Sequence, residues 1–120
     1  MNNEQKILVN CQDGPANIER ATISFILAVT ASKTRETAMF MSADASELCL
    51  QGRCDDLVAE GYEPLKNLVA SFLENGGKIW LCPACVKAKR MTESDLMAGV
   101  EIAGAPKTMA FLASGAQLLA

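Results

Sequence analysis

The stretch Lys78-Ile79-Trp80-Leu81-Cys82-Pro83-Ala84-Cys85-Val86-Lys87-Ala88-Lys89-Arg90 decides how the chain is read. Ile79, Trp80 and Leu81 are apolar and β-favouring without alternation, the pattern of a short strand buried on both faces. Pro83 suits the first position of a helix, where its missing N–H costs nothing. That puts Cys82 at the helix N-cap. Unpaired N–H groups and the positive dipole end stabilise an anion there, so the Cys82 thiol is expected to ionise readily. Lys87, Lys89 and Arg90 add positive charge just beyond it.

Outward from this centre, apolar runs alternate with helical periodicity. Lys6 to Asn10 reads as a strand stopped by Asp13-Gly14-Pro15, a strong turn signal. Asn17 is placed to cap a helix in which Ile18, Ala21, Thr22, Phe25, Ala28 and Val29 recur at helical spacing. Thr37 to Met41 is a second strand, ended by Ser42-Ala43-Asp44. Ala45 to Gln51 reads as a short helix closed by Gly52, and 52–62 as a loop or broken helix. Pro64 opens an amphipathic helix through Leu65, Leu68, Val69, Phe72 and Leu73, which Asn75-Gly76-Gly77 terminates. After the central strand and its cysteine turn, Thr92-Glu93-Ser94-Asp95 marks another helix start. Val100 to Ile102 is a short strand or extended link, Pro106 starts a last helix, and Gln117 to Leu119 is a terminal strand. Such alternation implies a parallel sheet covered on both faces, joined by right-handed crossovers. Sites in such sheets form beyond the carboxyl ends of the strands. The loops there offer Asp13, Gly14, Ser42, Lys87, Lys89 and Gly104 as binding candidates around Cys82 and Cys85.

At 120 residues and 50% hydrophobic, the chain predicts one domain spanning 1–120, with a real core. A net charge of −3 gives no electrostatic case for nucleic acid or an anionic membrane. No apolar run reaches the roughly 18–20 residues that span a bilayer. The first residues lack a signal-peptide core, so a cytoplasmic protein is expected. Histidine is absent, which removes Ser-His and Cys-His pairs and any histidine-ligated metal. Five cysteines in a reducing compartment point to thiol chemistry, metal binding or simple burial rather than to a disulfide scaffold.

Cys82 and Cys85 are the candidate reactive pair; inert burial is the alternative. A thioredoxin fold is not expected, because three strand–helix units precede the motif and little chain follows it. A reversible disulfide within the motif stays open. Zinc would need Cys49 and Cys54 beside Cys82 and Cys85, and nothing in the sequence forces the two pairs together, so no metal is expected. Cys11 reads best as a small core residue. Asp13-Gly14-Pro15 lacks the repeated glycines of a dinucleotide fingerprint and reads as a turn.

Leu81-Cys82-Pro83-Ala84-Cys85 followed by Leu96-Met97-Ala98-Gly99-Val100-Glu101-Ile102 resembles the DsrE/DsrF-like family, especially its YchN-like branch. Phe40-Met41-Ser42 and Glu60-Gly61-Tyr62 are similar to it as well, so the resemblance covers essentially the whole domain. It implies a flavodoxin-like α/β three-layer sandwich: a mostly parallel sheet of about five strands with helices on both faces. It also implies homo-oligomers, trimers or hexamers. The better understood members are sulfur carriers, which pass a persulfide between proteins. Their active cysteine matches Cys82, and the second cysteine of the YchN-like branch matches Cys85. Where the family commonly has Arg-Gly, this chain has Lys89-Arg90. The expectation is therefore a sulfur carrier or sulfurtransferase-like protein, with sulfur donor and acceptor proteins as partners and no cofactor. Cys82 is expected to hold the persulfide and Cys85 to resolve it. The alternatives are a non-catalytic oligomeric binding module of the same fold and a CxxC thiol redox protein.

Overall fold

Strands that are apolar on both sides must be covered twice, and the chain meets that demand with one sheet between helices. The computed structural model describes residues 5–119; residues 1–4, on which the leader argument drew, and the ends of the 1–120 span lie outside them. Strands β1 (Ile7–Cys11), β2 (Thr37–Met41), β3 (Lys78–Leu81), β4 (Val100–Ile102) and β5 (Gln117–Leu119) lie in the order β4-β3-β2-β1-β5. Every neighbouring pair is parallel. The helices are α1 (Ile18–Ser32), α2 (Leu65–Glu74), α3 (Pro83–Ala88) and α4 (Ala105–Ala113). This is the flavodoxin-like α/β architecture expected from the sequence.

From β1 to β4 the chain steps one way across the sheet, and only the last step returns past β1. Right-handed crossovers therefore put α4 on the face opposite α1 and α2. The first face is thick. Val9, Met39 and Ile79 of the sheet pack with Phe25 and Ala28 of α1 and with Leu65 and Phe72 of α2. The Phe25 and Phe72 rings meet edge to face at 6.5 Å, which locks the two helices together. A Cβ at Gly77 would stand 2.4 Å from the Phe72 ring, so only glycine lets α2 turn so tightly into β3. The second face is thin. Leu8, Ala38 and Trp80 are covered by Phe111 and Leu112 of α4 alone. Met109 on α4 and Leu118 on β5 remain exposed. Among the described residues no helix is long and apolar enough to cross a membrane.

Three local expectations change. Asn17 does hold the N-cap position of α1, but its side chain makes no capping bond; a 3-10 turn, Pro15–Asn17, leads into the helix instead. The helix expected over Ala45 to Gln51 is a 3-10 helix, Ala43–Cys49, directly after β2. Thr92 and Asp95 do form a capping box, but it holds only the 3-10 turn Glu93–Asp95. Leu96 then extends into an antiparallel bridge with Leu50, which stops a longer helix. The segment 52–62 is a chain of turns, as expected, yet it buries Cys54 and Ala59 and so closes the core.

Candidate functional site

Strands β2 and β3 are adjacent, with Met41 opposite Leu81, so the segments that follow them emerge side by side. Backbone bonds extend the sheet past its formal end: the Ser42 N–H donates to the Cys11 carbonyl at 3.1 Å and the Cys82 N–H to the Met41 carbonyl at 3.0 Å. The chain after β2 then coils into the 3-10 helix, and the chain after β3 enters α3. Pro83 opens α3 with Cys82 as its N-cap, as the sequence predicts. The carbonyl of Cys82 accepts the Cys85 and Val86 N–H groups, each at 3.1 Å, while its thiol makes no capping bond.

The donor that can hold a sulfur anion points elsewhere. Ala43 has φ +53, a left-handed conformation that L-residues with a Cβ seldom adopt. The twist turns the Ala43 N–H onto the Cys85 sulfur at 3.2 Å. Backbone strain of this kind costs about 1–3 kcal/mol and gathers at functional sites. Partial burial works against ionising Cys85. The Ala43 N–H, the Cys82 and Ser46 side chains and the Lys89 charge outweigh it, and the Cys85 pKa falls below the usual thiol value. The sequence reading put the anionic sulfur at Cys82; in the structure the backbone donor serves Cys85. The reason is geometric. In the first turn of α3 the Cys85 and Val86 N–H groups go to the Cys82 carbonyl, Pro83 has none, and among the described residues no backbone N–H bonds to the Cys82 sulfur.

The other thiols are of a different kind. Cys11, Cys49 and Cys54 are buried. Burial pushes Cys49 up to about 12 and Cys54 up to about 11, and it raises Cys11 as well. Among the described residues no three Cys, Asp or Glu side chains gather as a metal-binding group.

The remaining candidates scatter. Asp13 pairs with Arg20 at 3.3 Å on the surface. A Cβ at Gly14 would stand 2.1 Å from the Asp44 carbonyl oxygen, so this glycine lets two loops touch. Gly104 likewise packs against the Pro83 ring, where a Cβ would come within 3.0 Å of Cδ. Ser42 is the N-cap of the 3-10 helix, without a side-chain capping bond. Lys87 on α3 and Lys89 at its C-cap are exposed, and only Lys89 bears on Cys85. Lys89 also borders a cavity of about 650 Å³, with Glu47, Gln51, Arg90 and Asp95 among its walls; neither cysteine of the pair lines it. Sequence reasoning missed Ala43 and Ser46. Ala43 acts through its backbone, which leaves no side-chain signal, and Ser46 reads as an ordinary polar residue on a turn.

The profile of the DsrE/DsrF-like family matches residues 5–120. The chain belongs to that family. Two relatives are themselves uncharacterized proteins. MJ0760 of Methanocaldococcus jannaschii is 33% identical over 100 residues, which is 82% of this chain but 36% of that protein. MK0008 of Methanopyrus kandleri is 31% identical over 98 residues, 81% of this chain and 78% of that protein. The chain thus spans about a third of the first relative's length. Among solved structures, the ychN protein from E. coli superposes with a TM-score of 0.80 at 22% identity, over 96% of this chain and 97% of that one. MTH1491 of Methanobacterium thermoautotrophicum, a protein of unknown function, superposes with a TM-score of 0.65 at 11% identity, over 97% and 96%. These two likenesses concern the fold.

Proposed function

We propose that this member of a family linked to sulfur relay is a sulfur carrier in which Cys85 takes up a sulfane sulfur as a persulfide. One observation carries the reading: the Ala43 N–H held on the Cys85 sulfur at 3.2 Å by a left-handed backbone. The Cys85 thiolate attacks the outer sulfur of a donor persulfide. A sulfur–sulfur bond forms at Cys85, the donor's own sulfur–sulfur bond breaks, and the donor leaves as a thiolate. No electrons are gained or lost overall. An acceptor thiolate then attacks the outer sulfur, and Cys85 departs as the thiolate. A lowered pKa helps that second step, because a more acidic thiol is the better leaving group. Cys82, whose side chain neighbours Cys85, takes the resolving role. It attacks the inner sulfur, sulfide leaves, and a Cys82–Cys85 disulfide remains for a cellular dithiol to reduce. Donor and acceptor proteins belong to this reading, as does a homo-oligomer of the trimer or hexamer kind. The thin second face, with Met109 and Leu118 exposed, supports an oligomer.

Intact-mass spectrometry after exposure to inorganic polysulfide, with peptide mapping, tests the reading. The expected result is one added sulfur on Cys85, removed by reductant, lost in Cys85→Ser and kept in Cys82→Ser. Loading on Cys82 that survives Cys85→Ser would return the roles to those implied by the family resemblance. A Cys82–Cys85 disulfide in wild type, with no sulfur gained in Cys82→Ser either, would favour the thiol redox reading. No product, with slow alkylation of both thiols, would leave a binding module.

A further inference from the structure

Ser46 lies on the 3-10 helix that presents the Ala43 N–H to Cys85, one 3-10 turn further along. It is completely buried, and its hydroxyl has no hydrogen-bond partner. Buried hydroxyls are nearly always paired, so an orphan calls for an explanation. Its surroundings supply one. The hydroxyl makes no hydrogen bond in the resting geometry, its own 3-10 helix is the one whose first N–H rests on the Cys85 sulfur at 3.2 Å, and the Ser46 side chain is among the groups that lower the Cys85 pKa. A hydroxyl proton rotates freely about its C–O bond. While Cys85 is a thiol, the Ser46 proton has only a weak acceptor before it. Once Cys85 ionises, the same proton has a charged acceptor, and charge-assisted bonds are about twice as strong as neutral ones.

We propose that Ser46 is a positioning residue of the thiol site: its buried hydroxyl is a donor held in reserve, which pairs with the Cys85 sulfur when that sulfur carries charge. Together with the Ala43 N–H it makes a two-donor cradle, one donor fixed by backbone strain and the other waiting unpaired. The cradle acts whenever negative charge sits on that sulfur, at the attacking thiolate and again at the thiolate that leaves. The CxxC spacing alone does not supply this; the chain after β2 must fold against the chain after β3. The inference deepens the carrier reading but rests on it only for its use, not for its chemistry.

The test compares wild type, Ser46→Ala and Ser46→Thr. The readouts are iodoacetamide alkylation of Cys85 against pH, resolved by peptide mapping, and urea unfolding of the same proteins. In Ser46→Ala the alkylation midpoint should move to higher pH. The rate at neutral pH should fall about fivefold, the worth of one modest hydrogen bond, with no fall in stability. Threonine keeps the hydroxyl and should restore the wild-type profile. A profile that Ser46→Ala leaves unmoved would overturn the proposal, as would a shift that threonine fails to restore while the protein remains folded. Polysulfide loading of the wild type, run in parallel, separates the two ideas. A Ser46-dependent profile without loading removes the carrier reading and keeps the cradle; loading with an unmoved profile does the reverse.

Discussion

Cys49 and Cys85 attach to the same piece of structure from opposite sides. Cys49 closes the 3-10 helix Ala43–Cys49 from within the core, and Cys85 receives that helix's first N–H at the sheet edge. The same side chain acquires opposite chemistry. Burial with no charge partner drives the Cys49 pKa to about 12, further helped by Cys54 and Cys11 nearby. At Cys85 donors and a lysine charge overcome a smaller burial penalty. Depth and donors, rather than the presence of sulfur, decide which thiol reacts. The largest consequence is kinetic. In the native protein at neutral pH, Cys49, Cys54 and Cys11 should alkylate on the order of a thousandfold more slowly than Cys85. Time-resolved labelling with peptide mapping measures this. Comparable rates would mean that the core opens far more often than its packing implies.

The alkaline limb of stability sharpens the contrast next. Cys49 keeps its proton in the folded state up to about 12, against an ordinary value of 9.0 when unfolded. Over that window the native state binds more protons than the unfolded one, so stability falls as pH rises. The slope from Cys49 is at most about 1.4 kcal/mol per pH unit. Cys85 has the opposite sign. Its contribution is fully present above its unfolded value and is lost as pH falls through its lower folded value. Urea unfolding from pH 8 to about 11 should show a shallower alkaline loss in Cys49→Ala than in wild type across the range, and in Cys85→Ser a steeper one confined to pH below the unfolded value of 9.0. Identical slopes in all three proteins would erase the distinction.

Serine at the two positions gives a third measure. Cys49→Ser puts a hydroxyl in an apolar site and should destabilise by about 1–3 kcal/mol. Cys85→Ser sits at a partly exposed edge and should stay within about 0.5 kcal/mol. Urea midpoints decide. A large loss at Cys85 would make that thiol structural.

The sequence makes one part of this contrast legible and hides the other. The unbroken apolar run of Ile79 to Leu81, the helical spacing from Ile18 to Val29, and Pro83 after Cys82 are local signals, and each leads to the element observed. The pairing of Cys85 with Ala43 is not local. It arises because β2 and β3 are neighbours, which brings residues 42 positions apart into contact through a backbone atom. No spacing rule reports a backbone N–H turned by a left-handed φ. The uneven coverage of the sheet is hidden for a similar reason, since it follows from strand order and not from strand content. Alternation announces two covered faces but does not say that α4 covers one of them alone.

Ala43 and Arg90 are the two non-glycine residues with positive φ among those described, at +53 and +56, and both flank the thiol pair. They differ in what the strain serves. Ala43 aims a donor at a sulfur. Arg90 ends α3, where its N–H reaches the Lys87 carbonyl at 3.2 Å and the Met91 N–H reaches the Val86 carbonyl at 2.9 Å. That pair of bonds is the Schellman cap, which favours glycine at the Arg90 position. The family resemblance places glycine there too, so the turn survives the replacement at a cost in backbone energy. Arg90→Gly should relieve about 0.5–1 kcal/mol, after allowing for glycine's greater freedom in the unfolded chain. It should leave the Cys85 alkylation rate unchanged, because Lys89 is the cation that bears on that sulfur. A more stable protein with an unchanged rate would confine the role of Arg90 to the cap. A slower Cys85 in the same variant would show that the second cation reaches the sulfur as well, and the edge would then owe its chemistry to charge as much as to the Ala43 amide.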